Sequence, residues 1–346
     1  MRFFHISDLH FGKLLYGYDL TEEHRNFIEQ LGDYCDKYNP DAVLIAGDVY
    51  DRSVPSADAM TLLDELLNKL SGRKVFIISG NHDNAKRLSF GKDFLKKHDI
   101  YISTVPQTGE NEKIEKVTFA DEYGNVNIYM LPFLKPALFK NSMPEEAAAG
   151  EDAIIKKLVE NTDIDKNERN IILAHQFFVS GHKEPELCES EQTPAIVGGL
   201  DAVDVSAFDD FEYAALGHIH GGQFVGSEKN RYSGTPIKFS VSERNHNKNI
   251  VMVDMEEKNK EIEITKLPLT QIRDVKKKLG AYFDYILEVV VDNSETRKIM
   301  LEDVGELKEM SPYDAFDTFF EQLTDRKMND AESELFREIL SEVGEE

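Results

Sequence analysis

Seven side chains able to hold a cation, Asp8, His10, Asp48, Asn81, His175, His218 and His220, fall in five short clusters along the sequence. Each cluster follows an apolar run. Carboxylate and amide oxygen with imidazole nitrogen, and no thiolate, suit borderline-hard ions such as Mn²⁺, Fe²⁺ or Zn²⁺. So many donors exceed the needs of one ion but suit two that share a bridging carboxylate. A metal pair can activate a water and clamp the oxygens of an in-line displacement, so phosphoester hydrolysis is the natural reaction. Ser79-Gly80-Asn81-His82-Asp83, after Val75-Phe76-Ile77-Ile78, brings an amide, an imidazole and a carboxylate to one loop.

Each piece has a plainer reading by itself. Asp8-Leu9-His10 alone is a helix-entry turn, Gly47-Asp48 a common turn, and His175 a buried core histidine. Gly217-His218-Ile219-His220 is harder to set aside, because alternation puts both imidazoles on one side of an extended segment. All five clusters fall at the carboxyl ends of expected strands, where ligands of open α/β sheets gather. His5, His24, His98, His182 and His246 lie outside these loops and read as surface or packing residues.

The elements that must position the clusters alternate. Arg2–Ile6, Ala42–Ala46 and Val75–Ile78 read as strands. Between them lie a helix that Thr21 caps, with Phe27, Ile28, Leu31, Tyr34 and Cys35 at helical spacing, and a second that Ser56 caps, running through Leu70. That order means right-handed crossovers and a parallel sheet. Further strands are expected near Ile100, at Val117–Phe119 and Val126–Leu131 as a hairpin, and at Asn170–Ala174 and Tyr213–Leu216. The last are at Gln223–Val225, Arg231–Ser233, Ile250–Met255 and Glu261–Lys266. Pro144–Asn161 reads as a helix and 179–200 as a long loop. The first and last halves would thus supply two sheets packed face to face and flanked by helices, an α/β/β/α sandwich spanning 1–266.

Beyond Pro268 a small α+β domain is expected over 267–310, with a strand at Ile286–Val291. Residues 311–346 read as a helix pair. Ser311-Pro312 opens the first, which carries Phe316, Phe319 and Leu323, and the second carries Leu335, Phe336 and Leu340. Two cysteines, Cys35 and Cys188, give no disulfide framework and fit a reducing cytoplasm. No run approaches the ~18 apolar residues of a membrane span, and the N-terminus lacks a signal-peptide layout. The net charge of −25 argues against an autonomous nucleic-acid-binding module, unless bound cations, a local basic patch or a partner supply the positive field.

Asp8-Leu9-His10, Gly47-Asp48-Val49-Tyr50-Asp51-Arg52, Gly80-Asn81-His82-Asp83, Ala174-His175 and Gly217-His218-Ile219-His220 together resemble the calcineurin-like metallophosphoesterase superfamily. Ser7-to-Gly12, Cys188-Glu189-Ser190-Glu191, Ala215-to-Gly221, Arg231-to-Pro236 and Ser242-to-His246 narrow the likeness to the SbcD family of bacterial nuclease subunits, over about residues 1–266. The resemblance implies a first metal held by Asp8, His10, Asp48 and His220, and a second by Asp48, Asn81, His175 and His218, with Mn²⁺ preferred over Mg²⁺, Fe²⁺ or Zn²⁺. It also implies that His82 is no ligand but donates a proton to the leaving 3′ oxygen or stabilises the phosphorane, with Asp83 orienting its ring. An ATP-dependent double-strand exonuclease and single-strand endonuclease activity would follow. So would a SbcC-type ATPase partner on the terminal helices, and a homodimer within a heterotetramer.

Asp51 stands where eukaryotic and archaeal counterparts often have histidine. Asp51-Arg52 also resembles protein phosphatases, in which the arginine grips phosphate, so a phosphatase of the same superfamily is the second reading. A scaffold that keeps metals for structure alone is the third. Lys86 and Arg87, beyond the central loop, are placed to meet DNA phosphates or simply form a solvated turn.

Overall fold

Strands buried on both faces read as unbroken apolar runs, and Arg2–Ile6, Ala42–Ala46 and Lys74–Ile78 are such strands. They are seen in a computed structural model that describes residues 1–106, 113–181, 183–191, 202–279 and 286–292, with single positions 328 and 333. The three lie parallel, with Ile100–Ser103 beyond them, and pair Ile6 with Ile45 and Ala46 with Ile78. Phe4, Ile6, Val43, Ile45, Val75 and Ile77 face helices Thr21–Tyr38 and Ala57–Lys69. The alternate residues Phe3, Ala42, Leu44, Phe76 and Ile78 face the second sheet. Each large aliphatic or aromatic side chain so buried contributes about 2 kcal/mol.

The late strands return to this first sheet, Asn249–Asp254 antiparallel beside Arg2–Ile6 and Glu263–Pro268 antiparallel beside Asn249–Asp254. The expected division into an early and a late sheet is corrected in that respect. Alternation explains the return: Ile250 and Met252 join the helix-side core, while Val251 and Val253 fill the space between the sheets. The second sheet runs Gln223–Val225, Ser227–Tyr232, Tyr213–Gly217, Arg169–His175, Gly124–Leu131, Glu115–Asp121. Its central strand, Arg169–His175, is buried throughout and parallel to both neighbours. Ile154, Ile155 and Leu158 of helix Glu151–Asn161 cover its outer face beside Ile172 and Ala174. Helices outside two stacked sheets make the expected α/β/β/α sandwich.

Local departures have local causes. The helix expected over Pro144–Asn161 is two, Pro144–Ala149 and Glu151–Asn161, because Gly150 between them sits at φ 113°. Thr21 begins its helix rather than capping it; its amide donates to Asp19 Oδ1 at 2.7 Å. Ser56 does cap, accepting from the Ala59 amide at 3.2 Å. Phe177–Val179 and Ala202–Asp204 form a short parallel pair at the two ends of the stretch read as a loop. Both cysteines are buried and free.

The chain divides into two compact units, Met1–Lys276 with Val289–Asn293, and Lys277–Glu288 with Ser294–Glu346. A strand covers Ile286–Asp292, paired with Arg273–Leu279 in a sheet of two. The helix pair expected over 311–346 and most of the 267–310 domain lie outside the described residues. Among the described residues, no helix is long and apolar enough to cross a membrane.

Candidate metal centre

The parallel strands of both sheets deliver their carboxyl ends to one edge of the sandwich. There His175 Nδ1 donates to the Ala46 carbonyl at 2.8 Å, tying the sheets together. The loops at this edge turn sharply. Asp8, His10, Asp48 and His218 all have positive φ (52°, 45°, 48° and 107°), a conformation that Asp, Asn and His tolerate better than other side chains. Such strain costs about 1–3 kcal/mol per residue and collects at functional sites. Backbone bonds hold it in place: the amides of Asp8, His10 and Phe11 donate to the carbonyls of Gly47, Asp48 and Val49 at 3.0, 3.0 and 2.9 Å. Two glycines allow the loops to close. A Cβ on Gly80 would lie 2.1 Å from Asp48 Oδ1, and one on Gly217 would lie 1.8 Å from the Ala46 oxygen.

The seven expected donors converge. Asp48 is buried between the two implied sets, its Oδ2 3.4 Å from His175 Nε2 and 3.7 Å from His10 Nε2. Its Oδ1 accepts from the His82 amide at 2.9 Å. Asn81 Oδ1 lies 3.0 Å from His218 Nδ1 and 3.1 Å from His175 Nε2. Asp8 accepts from the His218 amide and the Ser7 hydroxyl. Donor atoms of Asp8, His10 and His220 gather within 4.8 Å of one another, as do those of Asp8, Asp48 and His175.

This donor set fits divalent cations. His175 Nδ1 donates to the Ala46 carbonyl and His220 Nδ1 donates to Ser190 Oγ at 2.8 Å, so each ring turns its Nε2 toward the donor cluster. His220 Nε2 meets His10 Nε2 at 3.2 Å. With its Nδ1 proton committed, neutral His220 presents a lone pair at Nε2, and that buried lone pair needs a proton from His10 or a cation. Burial pushes the His10 imidazole well below its ordinary range, and burial together with His175 pushes His218 to about 3. Both stay neutral at physiological pH, as ligands must. Burial would raise Asp48, but His175, His10 and His82 hold it well below the usual carboxylate range. Burial would lower His175, but Asp48 and then Asp8 raise it to about 9, so a cation arriving at its Nε2 displaces a proton.

His82 is placed differently from the ligands. Its Nδ1 donates to the Asp51 carbonyl at 2.8 Å, and its ring stands edge-on to His10 with centroids 4.9 Å apart. Asp83 does not touch that ring. Its carboxylate accepts from the backbone amides of Val49, Tyr50 and Gly80 at 3.1, 2.9 and 2.9 Å. The expectation that Asp83 orients His82 is corrected: the Asp51 carbonyl does so, and Asp83 clamps two loops together. His10, Asp51 and His82 form a third donor group, but Lys13 Nζ already supplies the Asp51 carboxylate with a cation at 2.9 Å.

Arg52 is 72% exposed, with Nε 3.5 Å from Asp51. Lys86 and Arg87 are exposed on the single turn Ala85–Leu88 that follows the central loop. His5 and His24 are packing residues. His5 Nδ1 bonds Tyr213 Oη at 2.9 Å, and His24 lies between the carbonyls of Leu20 and Leu9, propping the Asp8–His10 loop from below. His182 lies outside the described residues. Sequence reasoning missed Ser190, Glu191, Glu243 and Lys248, which surround His220. Their signal lies in the Cys188–Glu191 and Ser242–His246 motifs, which by themselves suggest no particular chemistry.

The family model of the calcineurin-like phosphoesterases matches residues 1–222, the part that carries the site. The SbcD subunit of the nuclease SbcCD from Staphylococcus epidermidis is 30% identical over 293 residues, which is 83% of this chain and 75% of that protein. The chain belongs to the SbcD branch of the calcineurin-like phosphoesterases. It is therefore a metal-dependent hydrolase of the nuclease type, in a family that binds two divalent ions. Among solved structures, GAP50, the anchor in the inner membrane complex of Plasmodium, aligns with a TM-score of 0.46 at 10% identity over 86% of this chain and 90% of that one. A dimetal phosphatase from Danio rerio aligns with a TM-score of 0.39 at 13% identity over 78% and 99%.

Proposed function

We propose that this protein is the nuclease subunit of an SbcC–SbcD-type complex and hydrolyses DNA phosphodiesters with two Mn²⁺ ions. Asp8, His10, Asp48 and His220 would hold one ion, and Asp48, Asn81, His175 and His218 the other. When bound, the pair supplies an activated water and neutralises charge on the attacked phosphate. The chain's own residues do the rest. Asp48 accepts the His82 amide and so fixes the central loop against the ligands. His82 has its Nδ1 proton committed to the Asp51 carbonyl, and as an imidazolium it would give the second proton, on Nε2, to the leaving 3′ oxygen. Arg52, Lys86 and Arg87 are exposed cations around that loop and suit phosphates of the bound strand.

The observation that carries this reading is His82 itself, an imidazole with one fixed nitrogen and one uncommitted, beside the donor cluster yet outside both ligand sets. ATP-dependent double-strand 3′–5′ exonuclease and single-strand endonuclease action, including hairpin opening, in DNA repair, recombination and replication, would come with an SbcC-type ATPase bound through residues 311–346. That partner would also supply the positive field that a net charge of −25 denies this chain. A homodimer in the cytoplasm completes the proposal.

The test is a labelled hairpin oligonucleotide and p-nitrophenyl phosphate, each offered to the full-length protein with Mn²⁺. Cleavage of the hairpin that His82→Ala abolishes is the expected result. Rapid turnover of the phosphomonoester with the hairpin left intact would overturn it in favour of a phosphatase.

A further inference from the structure

His220 offers four polar groups, and three of them are held from behind. Its amide donates to Glu191 Oε1, its carbonyl accepts from Lys248 Nζ at 3.1 Å, and its Nδ1 proton goes to Ser190 Oγ at 2.8 Å. Ser190 Oγ in turn donates to Glu243 Oε1 at 2.9 Å. Glu243 is 0% exposed and Lys248 5%, and they pair at 2.6 Å. Lys248 also reaches Thr235 Oγ1 at 2.5 Å, while Glu243 accepts from the Phe239 amide at 3.1 Å and from Ser240 Oγ at 3.1 Å. The fourth group, Nε2, faces His10.

A buried lysine–glutamate pair is a weak source of stability, since desolvation offsets most of its attraction and apolar residues of like volume do as well. This pair sits where it fixes one ring. Its direct reach is too long: Glu243 Oε1 lies 3.8 Å from His220 Nδ1. Ser190 closes that gap: with its one proton given to the carboxylate, its hydroxyl can only accept from the ring. The relay therefore sets both the tautomer and the direction of Nε2.

We propose that Ser190, Glu243 and Lys248 are positioning residues that hold His220 as a ligand of the first cation site and of that site alone. They tie the Cys188–Glu191 and Ser242–His246 motifs to one function. The proposal rests on the two-cation reading above, and Ser190 is the cleanest place to test it because its loss leaves the Glu243–Lys248 pair intact.

Mn²⁺ is titrated into the full-length wild type, Ser190→Ala, Ser190→Thr and His10→Ala proteins, with free Mn²⁺ counted by its aqueous paramagnetic resonance signal and melting temperatures recorded alongside. The wild type should bind two ions. Ser190→Ala should keep one at wild-type affinity and bind the other about 10–100-fold more weakly, the weakened site being the one that His10→Ala removes. Ser190→Thr, which keeps the hydroxyl, should restore it. Two ions at wild-type affinity in Ser190→Ala, or equal weakening of both, would overturn the proposal alone. Fewer than two ions in the wild type would overturn the two-cation reading and this proposal with it.

Discussion

Asp83→Ala separates a clamp from a ring-orienting residue. The substitution leaves three backbone amides, those of Val49, Tyr50 and Gly80, without their acceptor. Each buried amide left unsatisfied costs about 1–3 kcal/mol, so the loss is about 6 kcal/mol. An opposing effect comes from the carboxylate itself. Burial, then the nearby Asp48 charge, raises Asp83 from 3.8 to about 6, so ionised Asp83 weakens the fold by about 3 kcal/mol at pH 8. That burden disappears with the side chain. The net loss expected at pH 8 is therefore about 3 kcal/mol, or about 6 °C in melting temperature for a unit of this size.

The pH dependence follows from the direction of the shift. A carboxylate raised in the fold binds its proton more tightly there than in the unfolded chain, so wild-type stability falls as pH rises from about 4 to about 6. The variant lacks this dependence. Its deficit should be larger at pH 5 than at pH 8, approaching twice the value at the acid end of the window. Calorimetry on metal-free protein at both pH values measures this. Melting within 1 °C (on the order of the error) of wild type at both pH values, with an altered pH profile of cleavage, would refute the clamp and restore the ring-orienting role.

His82→Ala should retain two bound Mn²⁺ while cleavage falls about 10²–10⁴-fold, as for loss of a general acid; ion counting beside a gel assay checks both. Because His175 is raised to about 9, affinity for the one Mn²⁺ that His175 would hold should climb about tenfold per pH unit between pH 6.5 and 8.5, with about one proton released as that site fills. Calorimetric titration in buffers of different ionisation enthalpy reads that number, and a pH-independent affinity would contradict it. Gly217→Ala, with its Cβ 1.8 Å from the Ala46 oxygen, should cost at least about 3 kcal/mol, visible as a large fall in melting temperature.

Much of this site is legible in the sequence alone. Apolar runs ending in Asp, Asn or His marked where strands stop, and parallel topology sends those ends to one edge, so the seven donors could be gathered from spacing and type. What stayed hidden depended on bonds to the backbone or on return of the chain. Nothing in Asp83 distinguishes a carboxylate that faces a ring from one that faces three amides. The same holds for His82, whose partner is a carbonyl that any residue at position 51 would supply. The strand Asn249–Asp254 looks like any buried strand, and only its two-sided burial in the folded chain reveals that it completes the first sheet. Gly150 was visible but gave no sign that it would take φ 113° rather than continue a helix.

Asp48 reaches toward both ligand sets through one oxygen, so the most direct test is Asp48→Asn in the full-length protein, assayed for bound Mn²⁺ and hairpin cleavage together. Loss of both ions' tight binding and of all cleavage, with melting still cooperative, is the expected result. Cleavage at the wild-type rate would contradict a two-metal phosphodiesterase built on this cluster.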